Sequence, residues 1–271
     1  MVGKSSGSIS ELVAERLDSA PRRGGIMSVD NSVLFPYLTR IEQTRSLSAA
    51  AREAFLALPL EQHIYGTYQD FIKEGERPTR SCLIVEGVVS RYKTLRNGRR
   101  QISSFHFPGE MVDLHATLLT VADSGMRTHT PTTIVTINCE DILDLAAQYS
   151  EWGRAFWFDT LVDASVFREW TLNLGQRTAA ARVAHLLLEI NARLERIGQS
   201  DGRRFVLPIT QLDLADAVGL SAVHTNRSIQ QLRQSGTIRT QGREVVIEDY
   251  ASLVAQAGFD PSYLHPEGPR R

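Results

Sequence analysis

The chain has 271 residues, a formal charge of −1 and 42% hydrophobic residues, with arginine far more frequent than lysine. That length suits two modest domains, and the apolar content is ample for folded cores. It has no run of about eighteen apolar residues, no apolar stretch behind Lys4, and only two widely separated cysteines, Cys82 and Cys139, which argues against a membrane-spanning helix, a signal peptide, a disulfide framework and a cysteine-held cluster, and for a cytoplasmic location.

Residues 1–30 are rich in Ser, Gly and Arg with little periodicity and read as a flexible segment, in which Met27 offers a second candidate start. From Leu34 to Leu58 apolar residues recur mostly at three- and four-residue steps, the pattern of a helix. Between His63 and Asn138 the pattern changes to short alternating runs broken by turn residues: Arg80–Glu86, Val88–Leu95, Gln101–Phe107 and Thr132–Asn138. The Asn97-Gly98 pair between two such runs is a strong hairpin signal, and several short strands in succession imply an antiparallel sandwich or roll. Met111–Thr120 reads as a short helix set over the sheet.

Helical periodicity returns at about Ile142–Gln148 and then over a long segment from Trp152 to about Leu174. Along the long segment Phe158, Val162, Ser165 and Leu172 share one side, while Trp157, Leu161, Ala164, Phe167 and Leu174 share another. Apolar groups on more than half the circumference exceed what one contact surface needs, so this helix is expected to pack on its own sheet and on a second copy of the chain, with Phe158, Leu161, Val162, Ser165 and Leu172 as the candidate dimer contacts. Gly175 marks a joint, and Arg177–Ile197 is an amphipathic helix.

The stretch Leu207–Ile247 reads as helix, tight turn, second helix and hairpin, the layout of a winged helix-turn-helix that places its second helix in the DNA major groove. Thr210 with Asp213 forms a capping-box-like start for a helix over Gln211–Val218, with Leu212, Leu214, Ala215 and Val218 as its buried stripe. Gly219 suits a left-handed turn, and Ser221 is a good N-cap for a second helix to about Ser235. Val223, Ile229 and Leu232 are expected to face inward, leaving Ala222, His224, Thr225, Asn226, Arg227, Gln230 and Arg233 for the outer face. From Ala217 to Arg243 there are four arginines and no acidic residue, a local excess that suits a phosphate-facing surface. Any one of these arginines alone reads more readily as an ordinary solvated residue. The cap, glycine turn, second cap, acid-free helix and hairpin together argue for DNA binding.

The expected fold class is α+β, divided into a flexible segment (1–30), an antiparallel β-roll sensor domain (31–150), a dimerisation helix (151–176), a winged helix-turn-helix domain (177–255) and a tail (256–271). This order resembles the Crp/Fnr family of bacterial transcription regulators, in a FixK-like branch without an iron–sulfur cysteine cluster. The motifs that carry the resemblance are Phe107-Pro-Gly-Glu110 in the roll and Leu207–Asp216 with Asn226-Arg227 in the reader. It implies a non-enzymatic homodimer on a palindromic operator, with half-sites about 10 base pairs apart, and contact with RNA polymerase if the protein activates transcription. By the same resemblance Arg227 would make bidentate contact with guanine, Asn226 would read adenine or touch phosphate, and Thr210 and Ser221 would hold phosphates. His224, Gln230 and Arg233 would assist. One departure stands out: the acidic residue that the family pattern places four positions before the arginine, able to accept from cytosine N4, is Val223 here.

The input to the roll stays open. A cyclic nucleotide would need an Arg-Ser or Arg-Thr pair downstream of Gly109-Glu110; Arg127-Thr128 supplies one, about three residues late. His106, Glu110, Asp113 and His115 have the side-chain types of a metal or haem sensor site, and His106, Glu110 and His115 could alternatively serve as the ligands of a cupin-like enzyme; solvated loop residues around a cap are the plainer reading. No metal site and no cofactor is expected. A module that binds nucleotide and acts through protein contacts, without touching DNA, is the remaining alternative.

Overall fold

The computed structural model describes residues 30–266, so the expectations for residues 1–29, Met27 among them, and for 267–271 lie outside the described residues. The first helical stretch is two helices, α1 (Phe35–Glu42) and α2 (Ala49–Leu56). The break between them has a local cause: the Ser48 hydroxyl accepts a hydrogen bond from Ala51 N at 3.2 Å and starts a new helix.

The roll follows as β1 (Glu61–Tyr65), β2 (Asp70–Ile72), β3 (Arg80–Glu86), β4 (Val89–Thr94), β5 (Arg100–His106), β6 (Gly125–Thr128) and β7 (Thr132–Asn138). These strands form two antiparallel sheets, in the orders β1-β7-β3 and β2-β6-β4-β5. β4 and β5 pair from Val89↔His106 to Thr94↔Arg100 around the Asn97-Gly98 turn, where Gly98 takes φ 81°. The helix expected over Met111–Thr120 is only one 3-10 turn, Leu114–Thr117.

Next come α3 (Cys139–Gln148), the long α4 (Ser150–Gln176), which spans about 40 Å at 1.5 Å per residue, and α5 (Ala179–Arg196). α4 continues through Gly175, and the joint is Arg177-Thr178, where the Thr178 hydroxyl caps α5. The reader comprises β8 (Arg204–Val206), α6 (Gln211–Val218), α7 (Ala222–Gln234), β9 (Ile238–Gln241), β10 (Glu244–Ile247) and α8 (Tyr250–Ala257), with a small antiparallel sheet β8-β10-β9 forming the wing. The segment after residue 255 is not a loose tail: Ala257, Phe259, Tyr263 and Leu264 are buried.

Among the described residues three apolar cores form; the smallest, around Ile84, Val89, Met126 and Ile134, fills the roll, and the other two join separate parts of the chain. One joins α1, α2, β3, β7 and the start of α4 around Trp152, whose ring stacks on Phe55 at 4.3 Å and whose indole N–H donates to Ala51 O at 2.7 Å. The other is continuous between the roll (Val88, Ile102, Phe105, Phe107) and the reader (Leu186, Leu214, Val218) through Trp170 of α4. The two domains therefore share buried surface and are not beads on a linker.

Candidate nucleic-acid interface

The helix-turn-helix forms because each of its ends is locally satisfied. Thr210 Oγ1 accepts from Asp213 N at 3.2 Å while Asp213 Oδ2 accepts from Thr210 N at 3.1 Å, a complete capping box with Asp in place of the longer Glu. α6 ends at Gly219 with φ 65° and ψ 34°, and a Cβ there would lie 2.9 Å from Leu174 Cδ2, so both conformation and space call for glycine. Ser221 then caps α7 by accepting from His224 N at 3.3 Å.

α7 buries Thr225, Ser228, Ile229 and Leu232 against the reader core. Its outer face presents Ala222, Val223, Asn226, Arg227, Gln230, Gln231 and Gln234, which line a shallow concave surface together with Gln211 of α6. His224 and Arg233 are exposed on its flanks, and Ser221 is exposed at its N-terminus. Thr210, also exposed, sits at the N-terminus of α6, next to Gln211. Two expectations about this face are corrected. Thr225 is fully buried and cannot touch DNA, because it lies four residues before Ile229 and seven before Leu232, on the inward stripe. Val223, expected inside, is exposed, since it falls between the stripe positions. On α6, Leu212 is likewise exposed rather than part of the buried stripe. Gln211 was not singled out by the sequence; its position directly after the Thr210 cap, at the mouth of the turn, is the signal that could have found it.

The electrostatics favour an anion on this face. The acidic residues that bracket the acid-free run, Asp216 and Glu244, are paired with Arg100 and Arg204. Arg227 is left exposed on the concave surface with its guanidinium uncommitted to these carboxylates. The geometry is a rigid, positively biased helix face of polar side chains, suited to base edges and phosphates.

Comparison with known proteins agrees with this arrangement. Residues 181–256 match the Crp-like helix-turn-helix domain and residues 65–149 the cyclic nucleotide-binding domain. The chain is 28% identical over 203 residues to the transcriptional activator protein FnrL of Cereibacter sphaeroides, covering 72% of this chain and 80% of that protein. It is 27% identical to the nitrogen fixation regulation protein FixK of Azorhizobium caulinodans, covering 63% of this chain and 68% of that one. The solved structure of FixK2 from Bradyrhizobium japonicum superposes with a TM-score of 0.68 at 26% identity, over 73% of this chain and 98% of that one. The chain belongs to the Crp/Fnr family of DNA-binding transcription regulators.

In this Crp/Fnr regulator the side chains proposed for an effector are taken up by one another. Glu110 accepts from Arg193 of α5 at 2.7 Å and lies 3.4 Å from His106 Nδ1. Burial alone would raise its carboxyl, but Arg193 and His106 outweigh this and hold it well below the usual carboxylate range. Arg127 pairs with Asp70 through two hydrogen bonds of 2.8 and 2.6 Å, and the Thr128 hydroxyl donates to Gly66 O at 2.7 Å. Gly109 N donates to Ile84 O and its carbonyl accepts from Arg40 Nε at 3.0 Å. Glu110 lines a crevice of about 90 Å³ between the roll, α4 and α5, whereas Arg127 and Thr128 do not reach it, so these four residues do not form one pocket.

Of the four candidate metal ligands, His106, Glu110 and His115 line the same crevice, but Asp113 does not. Asp113 turns into β3, accepting from Ser81 Oγ at 2.9 Å and Cys82 N at 2.6 Å, and burial pushes its carboxyl up to about 6. His106 is buried against Ser104 Oγ at 2.8 Å. His115 lines the crevice. Among the described residues no three acidic, histidine or cysteine side chains converge in a way that could hold a metal ion. Cys82 and Cys139 are both buried; burial and the neighbouring Asp113 push the Cys139 thiol up to about 11, so it is uncharged at neutral pH.

On α4, Trp157, Leu161 and Leu172 are 69%, 49% and 47% exposed and face away from the chain. Phe158 and Val162, expected as dimer contacts, instead face the chain itself: Arg45 lies over the Phe158 ring at 3.9 Å, and Val162 lines the crevice. Ser165 is half-buried between these two faces.

Proposed function

We propose that the chain works as a homodimer joined along α4, placing one α7 in each half of a palindromic operator with half-sites about one helical turn, roughly 34 Å, apart. The dimer reading is supported by Trp157, Leu161 and Leu172, three large apolar residues exposed along about 22 Å of one side of α4. Arg227 reads guanine O6 and N7 through its planar fork, assisted by Asn226 and Gln230, while Thr210, Ser221, His224 and Arg233 position the backbone through phosphates. The roll biases the arrangement of α4 and the reader, so that an input acts through its different affinity for two arrangements. The protein acts by binding rather than catalysis, without a resident cofactor, in the cytoplasm where its DNA is; no helix among the described residues is long and apolar enough to cross a membrane. Where it activates, it does so through RNA polymerase.

The observation that carries this reading is the exposed, uncommitted Arg227 on an acid-free concave face. Mapping the sites bound across the genome yields the operator, and Arg227→Ala is then expected to weaken specific binding by about 1–3 kcal/mol. Unchanged operator affinity would overturn the assignment of α7 as the reading helix.

A further inference from the structure

Val223 is the one large apolar side chain on the reading face. It is 62% exposed, in the first turn of α7, and lines the same concave surface as Gln211, Asn226, Arg227 and Gln230. It stands four residues before Arg227 and three before Asn226, the spacings that place side chains on one helix face. Being β-branched, it holds a single χ1 rotamer in a helix and presents its two methyl groups in a fixed direction.

A side chain in this place can neither donate nor accept a hydrogen bond. The major groove displays one apolar group, the C5-methyl of thymine; every other edge there is a donor or an acceptor that a valine would strip of water without replacing it. One helical turn separates Val223 from Arg227, about 6 Å along the axis, and successive base pairs are about 3.4 Å apart. Resting on the assignment of α7 as the reading helix, we propose that Val223 is a specificity-determining residue that packs on a thymine methyl one or two base pairs from the guanine contacted by Arg227. A carboxylate in this position would select cytosine through its N4 amino group. The valine replaces that preference with an A·T pair in a defined strand orientation.

The test uses the full-length protein and a palindromic library with randomised half-sites. Wild type is expected to select thymine at one position, one or two base pairs from an invariant guanine. Replacing that thymine by deoxyuridine, which removes only the methyl, is expected to weaken wild-type binding about fourfold, or about 0.8 kcal/mol for one buried carbon at 1.4 kcal/mol per tenfold. Val223→Ala is expected to bind the thymine and deoxyuridine sites within a factor of about two of each other, and Val223→Glu to shift the selected base toward cytosine. Because Val223 is exposed, both variants should retain wild-type melting, and Val223→Ala should also retain wild-type non-specific DNA binding, which rests on phosphate contacts. A wild type that is indifferent to the methyl, or a Val223→Ala that is as sensitive to it as wild type, overturns the proposal while leaving the guanine contact standing. Loss of any selected guanine, together with unchanged binding by Arg227→Ala, overturns the underlying assignment of the reading face as well.

Discussion

Arg100→Met tests whether the roll and the reader are held together by the contact between β5 and α6. The substitution keeps the apolar stem and removes the cation placed between two carboxylates: Arg100 Nη2 lies 2.9 Å from both Asp213 Oδ1 and Asp216 Oδ2, and Nε donates to Asp216 Oδ2 at 2.9 Å. Hydrogen bonds between charged partners contribute about 1.5–3 kcal/mol each when shielded from water. Asp213 is almost fully shielded, with 3% of its side chain exposed, whereas solvent reaches Asp216 and screens it. Asp213 also keeps Thr210, and His129 Nδ1 remains 3.2 Å from its Oδ2. The net loss worked from these contacts is about 2–3 kcal/mol, which at about 2–4 °C per kcal/mol lowers Tm by roughly 4–12 °C.

A fall in Tm alone would not identify the cause, so the assay is a double-mutant cycle with Asp216→Asn, followed by calorimetry. Asp216 takes no part in the capping box, and its substitution leaves α6 properly started. A coupling of about 1 kcal/mol or more is expected between the two changes. Because Trp170 and Phe105 link the domains in one core, with ring centroids 6.0 Å apart, roll and reader should also melt in a single transition. Additivity within about 0.5 kcal/mol, or a reader that melts separately before the roll, would refute the reasoning.

Acid should destabilise the fold. Burial and Arg177 lower the His185 imidazole to about 3, so between that pH and about 6.5 the unfolded chain binds a proton that the native state refuses. Stability is then full above pH 6.5 and falls below it, by about 2 kcal/mol at pH 5 from His185 alone. His106 and His115, also lowered by burial, add to the loss; Asp113, raised to about 6, takes up its proton in the native state and offsets about 1 kcal/mol. A Tm that stays flat from pH 7 to pH 5 would contradict a neutral His185. Leu161→Glu places a charge in the proposed seam of α4, and light scattering should show the dimer dissociation constant raised roughly a hundredfold, for about 3 kcal/mol of unpaired buried charge; a wild type that is monomeric at micromolar concentration would remove α4 as the joining element.

The parts of this molecule that could be read from its residues are those whose cause is local. The Thr210–Asp213 box, the Gly219 turn, the Ser221 cap and the Asn97-Gly98 hairpin each complete their hydrogen bonds within a few residues, and each is present. The roll's less apolar strands carried no such signal: β2 is three residues long and β6 four, and both are held by partners far away in the sequence. The face of α7 was misread for a different reason. Hydropathy placed Val223 inside and Thr225 outside, but in a 13-residue helix anchored by Ile229 and Leu232 the helical phase decides, and the phase puts Thr225 on the buried stripe. When one residue's polarity and the phase set by its neighbours disagree, the neighbours' combined burial is the larger free energy.

Asp213 shows where local reading stops. Its Oδ2 closes the capping box with Thr210, and that use is visible three residues away; its Oδ1 accepts from Arg100, which is 113 residues earlier in the chain. Burial would raise this carboxyl, yet His129 and Thr210 outweigh it and keep it ionised far below neutral pH. One side chain thus both starts the first helix of the DNA reader and anchors that helix to the sensor roll. Any rearrangement that separates roll from reader must strip Asp213 of Arg100 and His129 while leaving it bound to Thr210. The cost of that step depends on how well water replaces Arg100 at a nearly buried oxygen, so the coupling of the two domains is set at the same residue that makes the helix-turn-helix fold.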